Sequence, residues 1–388
     1  MTGLGVDAHA DGTVSEAMPL AGDRSGEIPA RTANAKRVIG FFCHHNPFDR
    51  NAFSGTPHFM LRALLELGDC TVRVLGRHPR APLARRVAAW RRSDAEVRAT
   101  DAELEGLDAV VSLVSTAAVP DLARRCRAPV AHVTDATPGF LRDVYGWSVA
   151  PEADAAERAA LEAADRVIYS SQFMRDRAIR EFGASVAGKT AVIPFGVNFD
   201  DLPAAPIPKP PLDPVRLLFV GRDWERKGGP VAVAAFEALR ARGVAARLQI
   251  VGAAPEGLPR RDGLEILGFL DKNRPRELER IRRAFRAAHV LLLPTRADCT
   301  PMVVAEANSH AAPVLAADIG GVGSLMHPGV NGRLMPPEAD GDAYADAVIE
   351  MTSAPERYRA LTLSAFEHYR SRLNWSAWAR DLRPLLLP

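Results

Sequence analysis

Short runs of consecutive apolar residues alternate along this chain with longer stretches in which apolar residues recur at helical spacing. Apolar runs without polar alternation are typical of parallel strands that are covered on both faces. In the first half we predict helices from Ser54 to Leu67, at 151–164 and at 172–182. The strands predicted around them lie at 38–42, 71–75, 109–114, 129–133, 167–170 and 191–194.

The same alternation of apolar runs and helical stretches resumes after DDLPAAPIPKPPLDP, residues 200–214. The prolines of this segment exclude a helix and predict a stiff linker. The second half predicts helices at 230–242, at 276–288 and after Thr300. Its strands are predicted at 215–220, 248–251, 264–267, 290–293 and 313–316. We therefore predict an α/β protein with two Rossmann-like, doubly wound domains facing a cleft, where ligands bind beyond the strand ends.

These patterns divide the chain into five segments. Residues 1–35 are polar and small and predict a disordered tail rather than a signal peptide. Residues 36–199 form the N-terminal domain, and 200–214 form the linker. Residues 215–365 form the C-terminal domain, and 366–388 predict a helix that can cross back to the N-terminal domain.

Composition narrows the class of protein. A net charge of +2 over 388 residues argues against a nucleic-acid binder, and no apolar run reaches the length of a membrane span. The four cysteines are scattered without a CxxC pair, which favours a reducing cytoplasm. The basic stretch Arg73–Arg98 offers peripheral contact with the anionic inner membrane face as an alternative, although a solvated arginine-rich surface is preferred.

Two carboxylates are the most informative candidates. Asp298 and Glu306 lie eight residues apart in DCTPMVVAE, directly after an apolar run. Thr300 suits a helix N-cap and Pro301 the first helical position. The free backbone amides of Met302 and Val303 would then lie between the two carboxylates. A nucleotide sugar has this layout of sugar, diphosphate and ribose. Glu306 stands among apolar residues and therefore needs a partner.

A second candidate is the loop VGRDWERKGGP at 220–230. Arg222 stands at the predicted strand end and Lys227 at the mouth of the next helix, where both can neutralise a diphosphate. The loop is not a Walker A motif, because Arg226 precedes Lys227 and a glycine follows it. A solvated basic loop is the equally weighted alternative.

Three further patterns are weaker. Gly55 and Thr56 stand at a helix mouth of the N-terminal domain, and Gly320-Gly321 follows a strand and allows close backbone approach to a ligand. His132 and Asp135 stand near a strand end and suit either sugar contact or local capping. The histidines and aspartate of HHNPFDRNAFSGTPHFM (44–60) do not have metal-ligand spacing, so no metal site is predicted.

These motifs carry a family resemblance. FVGRDWERKGGPVAVAAFEALRARGVAARLQIVG (219–252) and LLLPTRADCTPMVVAEANSHAAPVLAADIGGVGSLMHPGVNG (291–332) resemble the retaining GT4 glycosyltransferases of the GT-B fold. IPFGVN (193–198) and FSGTPHFMLRAL (53–64) resemble further family segments. The second motif contains the family's E-x7-E element, with Asp298 in the first acidic place.

The resemblance implies a role for each residue. Arg222 and Lys227 would bind the donor diphosphate, Glu306 the ribose and Asp298 the donor sugar. Many members carry a histidine near the donor sugar, and either His132 or Asp135 takes that place here, with Asp135 preferred. Other donor contacts are implied at Thr300, Pro301, Met302, Val303, Phe269, Leu270, Gly55 and Thr56.

The implied activity is transfer of a sugar from a UDP- or GDP-sugar to a hydroxyl of a small molecule, glycan or lipid-linked intermediate. No cofactor and no metal are expected, because cations can replace the metal at the diphosphate. Two alternatives remain at this stage. One is a non-catalytic nucleotide-sugar-binding protein, and the other is a sugar-nucleotide epimerase on the same fold.

Overall fold

The computed structural model describes residues 36–78, 97–258 and 261–387. The predicted tail 1–35 and most of the basic stretch Arg73–Arg98 lie outside the described residues. Two six-stranded parallel sheets form the two domains, which confirms the predicted α/β class. The N-terminal strands are β1 Arg37–Cys43, β2 Cys70–Val74, β3 Ala109–Leu113, β4 Val130–Thr134, β5 Arg166–Tyr169 and β6 Thr190–Val192. The C-terminal strands are β7 Val215–Gly221, β8 Ala246–Gly252, β9 Leu264–Gly268, β10 Val290–Leu293, β11 Val314–Ala317 and β12 Gly332–Met335.

Helices connect these strands. The N-terminal helices are α1 Thr56–Leu65, α2 Asp101–Leu104, α3 Val119–Arg125, α4 Pro138–Asp143, α5 Ala153–Ala163 and α6 Gln172–Phe182. The C-terminal helices are α7 Trp224–Lys227, α8 Gly229–Ala241, α9 Pro275–Ala287, α10 Met302–Ser309, α11 Gly341–Thr352, α12 Pro355–Ser371 and α13 Trp375–Leu386. None of the helices in the described ranges is long and apolar enough to cross a membrane.

The strand order locates the ligand-binding edge. The sheets run β2-β1-β3-β4-β5-β6 and β12-β11-β10-β7-β8-β9. The direction in which successive strands are added to the sheet therefore reverses between β1 and β3 in the first sheet and between β7 and β10 in the second. Ligands of open α/β sheets bind at such switch points, beyond the carboxyl ends of the strands. The loops after β7 and β10 are those that carry Arg222 and Asp298.

Both faces of each sheet are buried, which explains the uninterrupted apolar runs. In β10, Leu291 and Leu293 pack into one core cluster, whereas Val290 and Leu292 pack into the cluster on the opposite face. A strand with helices on both sides has no solvent-facing positions, so it needs no polar alternation.

The C-terminal helix α13 packs on the N-terminal domain. Trp378 is fully buried there together with Leu382, in the same core cluster as the β1 residues Ile39 and Phe41. The Trp375 indole N–H donates to Asn198 Oδ1 at 3.0 Å. The chain therefore passes through both domains and returns to the first.

Gly228, between α7 and α8, offers a test of how tightly the loop after β7 is held. Its φ is +79°, and a Cβ there would lie 1.9 Å from the Pro294 carbonyl oxygen. We expect Gly228→Ala to lower the free energy of unfolding by at least about 3 kcal/mol, since strain and overlap with backbone add. Denaturant unfolding would measure the loss.

Gly243→Ala is the matched control for this substitution. Gly243 has nearly the same φ, +77°, but open space around its Cβ position. Only the conformational cost remains there, about 1 kcal/mol. Equal losses in the two variants would show that the contact with Pro294 does not constrain the loop.

Candidate active site

A cavity of about 510 Å³ lies between the two domains at the carboxyl ends of both sheets. The C-terminal domain lines it with the loop after β7, the end of β8, the segment after β9, and the segment from Asp298 to Glu306. The N-terminal domain lines it with the segment before α1, the residues after β3 and β4, and α4 and α5. Its volume falls within the usual range for small-molecule sites, about 300–1,000 Å³.

Cations from the loop after β7 face this cavity. Lys227, the last residue of α7, pairs with Asp298 Oδ2. Arg222 is exposed, and its guanidinium carbon lies 4.9 Å from the centre of the Phe269 ring. Arg226 lies 4.6 Å from the centre of the Tyr145 ring, and its Nη1 donates to the Ala297 carbonyl at 2.8 Å. Three positive charges therefore converge on one wall of the cleft.

Asp298 and Glu306 are both almost completely buried and both line the cavity, with exposed fractions of 4% and 5%. Each holds a lysine: Asp298 pairs with Lys227, and Glu306 Oε1 accepts a hydrogen bond from Lys272 Nζ at 2.6 Å. Lys272 is thus the partner that the burial of Glu306 requires. The two ion pairs mark two places along the same cavity.

The helix between these carboxylates begins one residue later than predicted. Pro301 is the N-cap of α10, and Met302 is its first helical residue. Thr300 does not cap the helix, because its hydroxyl lies 2.5 Å from Ser170 Oγ of the N-terminal domain. Met302 and Val303 line the cavity, and amides in the first helical turn lack intrahelical acceptors. Pro301 is buried and does not line it.

The structure separates His132 from Asp135. His132 lies inside β4, fully buried and away from the cavity, and burial lowers its pKa to about 4. Asp135, just after β4, lines the cavity. Burial, and then the charge of Asp298, raise the pKa of Asp135 to about 7. Of the two candidates for sugar contact, Asp135 therefore lies in the cleft and His132 does not.

The raised pKa of Asp135 predicts a pH dependence. Because the carboxyl stays protonated up to about pH 7, raising the pH through that value adds a negative charge beside Asp298 and any bound diphosphate. We expect the Kd for a nucleotide sugar to rise about tenfold between roughly pH 6 and pH 8, since like charges disfavour each other in a low-dielectric site. Calorimetric titration of Asp135→Asn should give a shallower profile than that of the unaltered protein; an equal slope in both proteins would contradict the assignment.

The N-terminal helix mouth contributes Thr56 but not Gly55. Thr56 lines the cavity and its hydroxyl accepts from Asn198 Nδ2 at 3.2 Å. Gly55 is buried as the N-cap of α1 and does not line the cavity. His58 fixes the preceding loop, since its Nδ1 donates to the Pro47 carbonyl at 3.1 Å.

Gly320 and Gly321 do not line the cavity, and both lie close to protein backbone. A Cβ on Gly320 would lie 2.3 Å from the Asp298 carbonyl oxygen, and one on Gly321 would lie 1.7 Å from that of Cys299. The Gly321 amide donates to the Asp298 carbonyl at 2.9 Å. The two glycines therefore support the segment that carries Asp298.

Several cavity residues were missed by sequence reasoning. Tyr145 lines the cavity, and its hydroxyl accepts from the Cys299 amide at 3.1 Å, joining the two domains. Trp147 and Glu157 also line it. Lys272 lies two residues after Leu270, and Phe269 and Leu270 both line the cavity, so this proximity in sequence was the signal that could have indicated Lys272.

Two parallel α/β domains closed on a shared cleft define the GT-B class of glycosyltransferase fold. Sucrose-phosphate synthase from Thermosynechococcus elongatus matches with a TM-score of 0.62 at 20% identity, covering 90% of this chain and 98% of that one. Anabaena HepE, solved in complex with UDP and glucose, matches with a TM-score of 0.58 at 17% identity, covering 91% and 99%. At these identities the likeness concerns the fold.

Residues 214–354 match the family model of the glycosyl transferases group 1. The match covers the C-terminal domain and confirms its resemblance to GT4-type glycosyltransferases. D-inositol 3-phosphate glycosyltransferase 2 of Catenulispora acidiphila is 32% identical over 239 residues, which cover 56% of this chain and 55% of that protein. The corresponding Nocardia farcinica enzyme is 28% identical over 281 residues, covering 66% and 61%. The chain thus spans between half and two thirds of these relatives' length.

Proposed function

We propose that this protein is a retaining, metal-independent glycosyltransferase that moves a sugar from a nucleoside-diphosphate sugar to an acceptor hydroxyl. The observation that carries the proposal is the convergence of Arg222, Lys227 and the first turn of α10 on one cavity, between the buried carboxylates Asp298 and Glu306. Cations and free amides suit a diphosphate, and carboxylates suit sugar and ribose hydroxyls.

The proposed mechanism follows from the charges that develop. Breaking the bond between the sugar and the diphosphate places negative charge on the leaving phosphate, which Arg222, Lys227 and the amides of Met302 and Val303 stabilise. The acceptor hydroxyl attacks from the face that the phosphate leaves, and its proton passes to a leaving phosphate oxygen. The anomeric configuration is thereby retained. No protein group is required as a general base, and the cations supply what a metal would otherwise provide.

The alternatives differ from this proposal in what happens after donor binding. A non-catalytic binding protein would hold the nucleotide sugar without turnover. An epimerase would return an isomerised sugar and would need no acceptor. The presence of both cations and both carboxylates in one cleft supports transfer over binding alone.

A thermal-shift panel of UDP-, GDP- and dTDP-sugars tests the proposal first, because a ligand that binds the folded state raises its melting temperature. The donor giving the largest shift is then incubated with acceptors in the presence of EDTA, and products are analysed by NMR. We expect transfer with retained configuration and no loss of rate with the chelator. Binding without turnover, an inverted product or dependence on added metal would each contradict the corresponding part of the proposal.

A further inference from the structure

A buried carboxyl group in the N-terminal wall of the cavity has an unfilled hydrogen-bonding position. Glu157, in α5, is 2% exposed and lines the cavity. Its Oε2 accepts from the Thr116 hydroxyl at 3.0 Å, whereas its Oε1 has no hydrogen-bond partner among the residues that the structure describes. Buried polar atoms are seldom left unpaired, and a carboxyl oxygen that borders a cavity can be satisfied by a ligand.

In the described part of the chain, the charged groups that act on Glu157 are carboxylates rather than cations. Burial raises its pKa to about 7, and the nearby charges of Glu181 and Asp154 act in the same direction. Thr116 follows β3 and Asp135 follows β4, neighbouring strands whose carboxyl ends meet at the same sheet edge. Glu157 therefore lies at the edge that faces the C-terminal domain.

The cations that line the cavity are concentrated on the wall formed by the C-terminal domain. Among the described residues that line the cavity, the N-terminal domain contributes the carboxyl groups of Asp135 and Glu157 and one cation, Arg50. Arg50 is held by Asp200, with Nη2 to Oδ2 at 2.9 Å. The remaining lining cations all come from the C-terminal domain: Arg222, Arg226, Lys227 and Lys272. The N-terminal wall is thus suited to hydrogen-bond donors rather than to anions.

An aromatic surface stands beside this carboxyl group. Trp147 lines the cavity with 54% of its surface exposed, and its ring packs edge-on against Tyr145 at a centroid distance of 5.1 Å. An exposed indole presents an apolar face that suits the carbon face of a sugar or cyclitol ring, with a polar rim for its hydroxyls.

We propose that Glu157, Thr116 and Trp147 form an acceptor subsite for a phosphate-free sugar or cyclitol, which donates a hydroxyl or ammonium hydrogen to Glu157 Oε1. The inference rests on the proposed glycosyltransferase function and specifies its acceptor. The proposed acceptor differs from the D-inositol 3-phosphate for which the relatives are named. A phosphate at this wall would lie beside two carboxyl groups, and no described cation on this wall is free to pair with it.

The test compares two acceptor pairs that differ only by a phosphate: myo-inositol with inositol 3-phosphate, and glucosamine with glucosamine 6-phosphate. The donor is whichever of UDP-glucose, UDP-N-acetylglucosamine and GDP-mannose gives the largest thermal shift. We expect kcat/KM to be at least about tenfold higher for a phosphate-free member, since leaving a charge unpaired in a site costs that much or more.

Glu157→Gln and Glu162→Gln are the matched variants. Glu162 is an exposed carboxylate of the same helix, α5, and does not line the cavity. Glu157→Gln should raise the KM of the preferred acceptor about tenfold and leave the donor KM unchanged, because one charge-assisted hydrogen bond is weakened. Glu162→Gln should change neither KM. A larger effect with glucosamine than with myo-inositol would identify ammonium as the preferred group.

The outcomes that overturn the inference are distinct from those that overturn the proposed function. Preference for the phosphorylated member of the pairs, transfer to none of the four acceptors despite donor hydrolysis, or an unchanged acceptor KM in Glu157→Gln would each refute the subsite. Donor binding and melting temperature, measured in every variant, report whether the fold is retained. Absence of donor turnover under all conditions would overturn both proposals.

Discussion

Lys227→Ala is expected to lower kcat/KM for sugar transfer by at least about 1,000-fold, because preorganised cations at a leaving group contribute several kcal/mol to catalysis. Lys227 ends the short helix α7, and its ammonium group is already fixed against Asp298 at the mouth of α10. Arg222 cannot replace it, since it is exposed and lies over Phe269. The measurement is steady-state transfer, with circular dichroism to establish that the variant is folded.

Removing Lys227 also leaves Asp298 buried without its partner, so stability must be followed separately. We expect the fold to be retained with a cost of about 3 kcal/mol, which is typical when one member of a buried ion pair is removed. Lys227→Met with Asp298→Asn should restore stability but not activity. Lys189→Ala is the matched control, because its ammonium group donates to the carbonyls of Glu162 and Ala164, outside the cavity. Near-native turnover in Lys227→Ala would refute the diphosphate role.

The fold could be predicted from the sequence because its signals are local. The run Val290–Leu293 and the helix Gln172–Phe182 were predicted with the bounds that the structure has. A strand that is buried on both faces has a sequence of consecutive apolar residues, whatever packs against it. The short strand β12, GRLM, was missed because a glycine and an arginine interrupt its apolar character.

The candidate site was predictable where its residues are adjacent in sequence. The loop after β7 and the segment from Asp298 to Glu306 are continuous motifs, and both line the cavity. The pairing between them was not predictable: Lys227 and Asp298 are 71 residues apart, and Lys272 and Glu306 are 34 apart. Such contacts depend on how the loops of different strands converge, which no local pattern specifies.

Contacts between the domains were also beyond the reach of sequence patterns. Asn51 Nδ2 donates to Asp271 Oδ1 at 2.6 Å, and the Lys272 amide donates to Asn51 Oδ1 at 3.1 Å. These bonds hold the N-terminal loop against the loop that carries Lys272. The same convergence explains why Thr300 does not cap α10, since a serine from the other domain takes its hydroxyl. The mouth of the helix is therefore shaped by both domains.

Glu306→Gln is expected to raise the donor KM about 30- to 100-fold while kcat changes less than about threefold. The carboxylate is 5% exposed and is fixed by Lys272, whose Nζ also lies 5.0 Å from the centre of the Phe199 ring. A group that contacts the ribose is remote from the bond that breaks, so it contributes equally to the ground state and the transition state. Initial-rate kinetics at saturating acceptor separate the two constants.

Two companion variants make the Glu306 result specific. Glu279→Gln removes a carboxylate that pairs with Arg286 at 2.9 Å outside the cavity, and it should leave both constants unchanged. Lys272→Met keeps the Glu306 carboxylate but removes its orienting partner, so we expect an increase in donor KM of about tenfold or less. A fall in kcat at constant KM in Glu306→Gln would instead place this carboxylate at the reacting carbon. The nucleotide sugar would then lie in the opposite direction along the cleft, with its sugar near Glu306 and its ribose near Asp298.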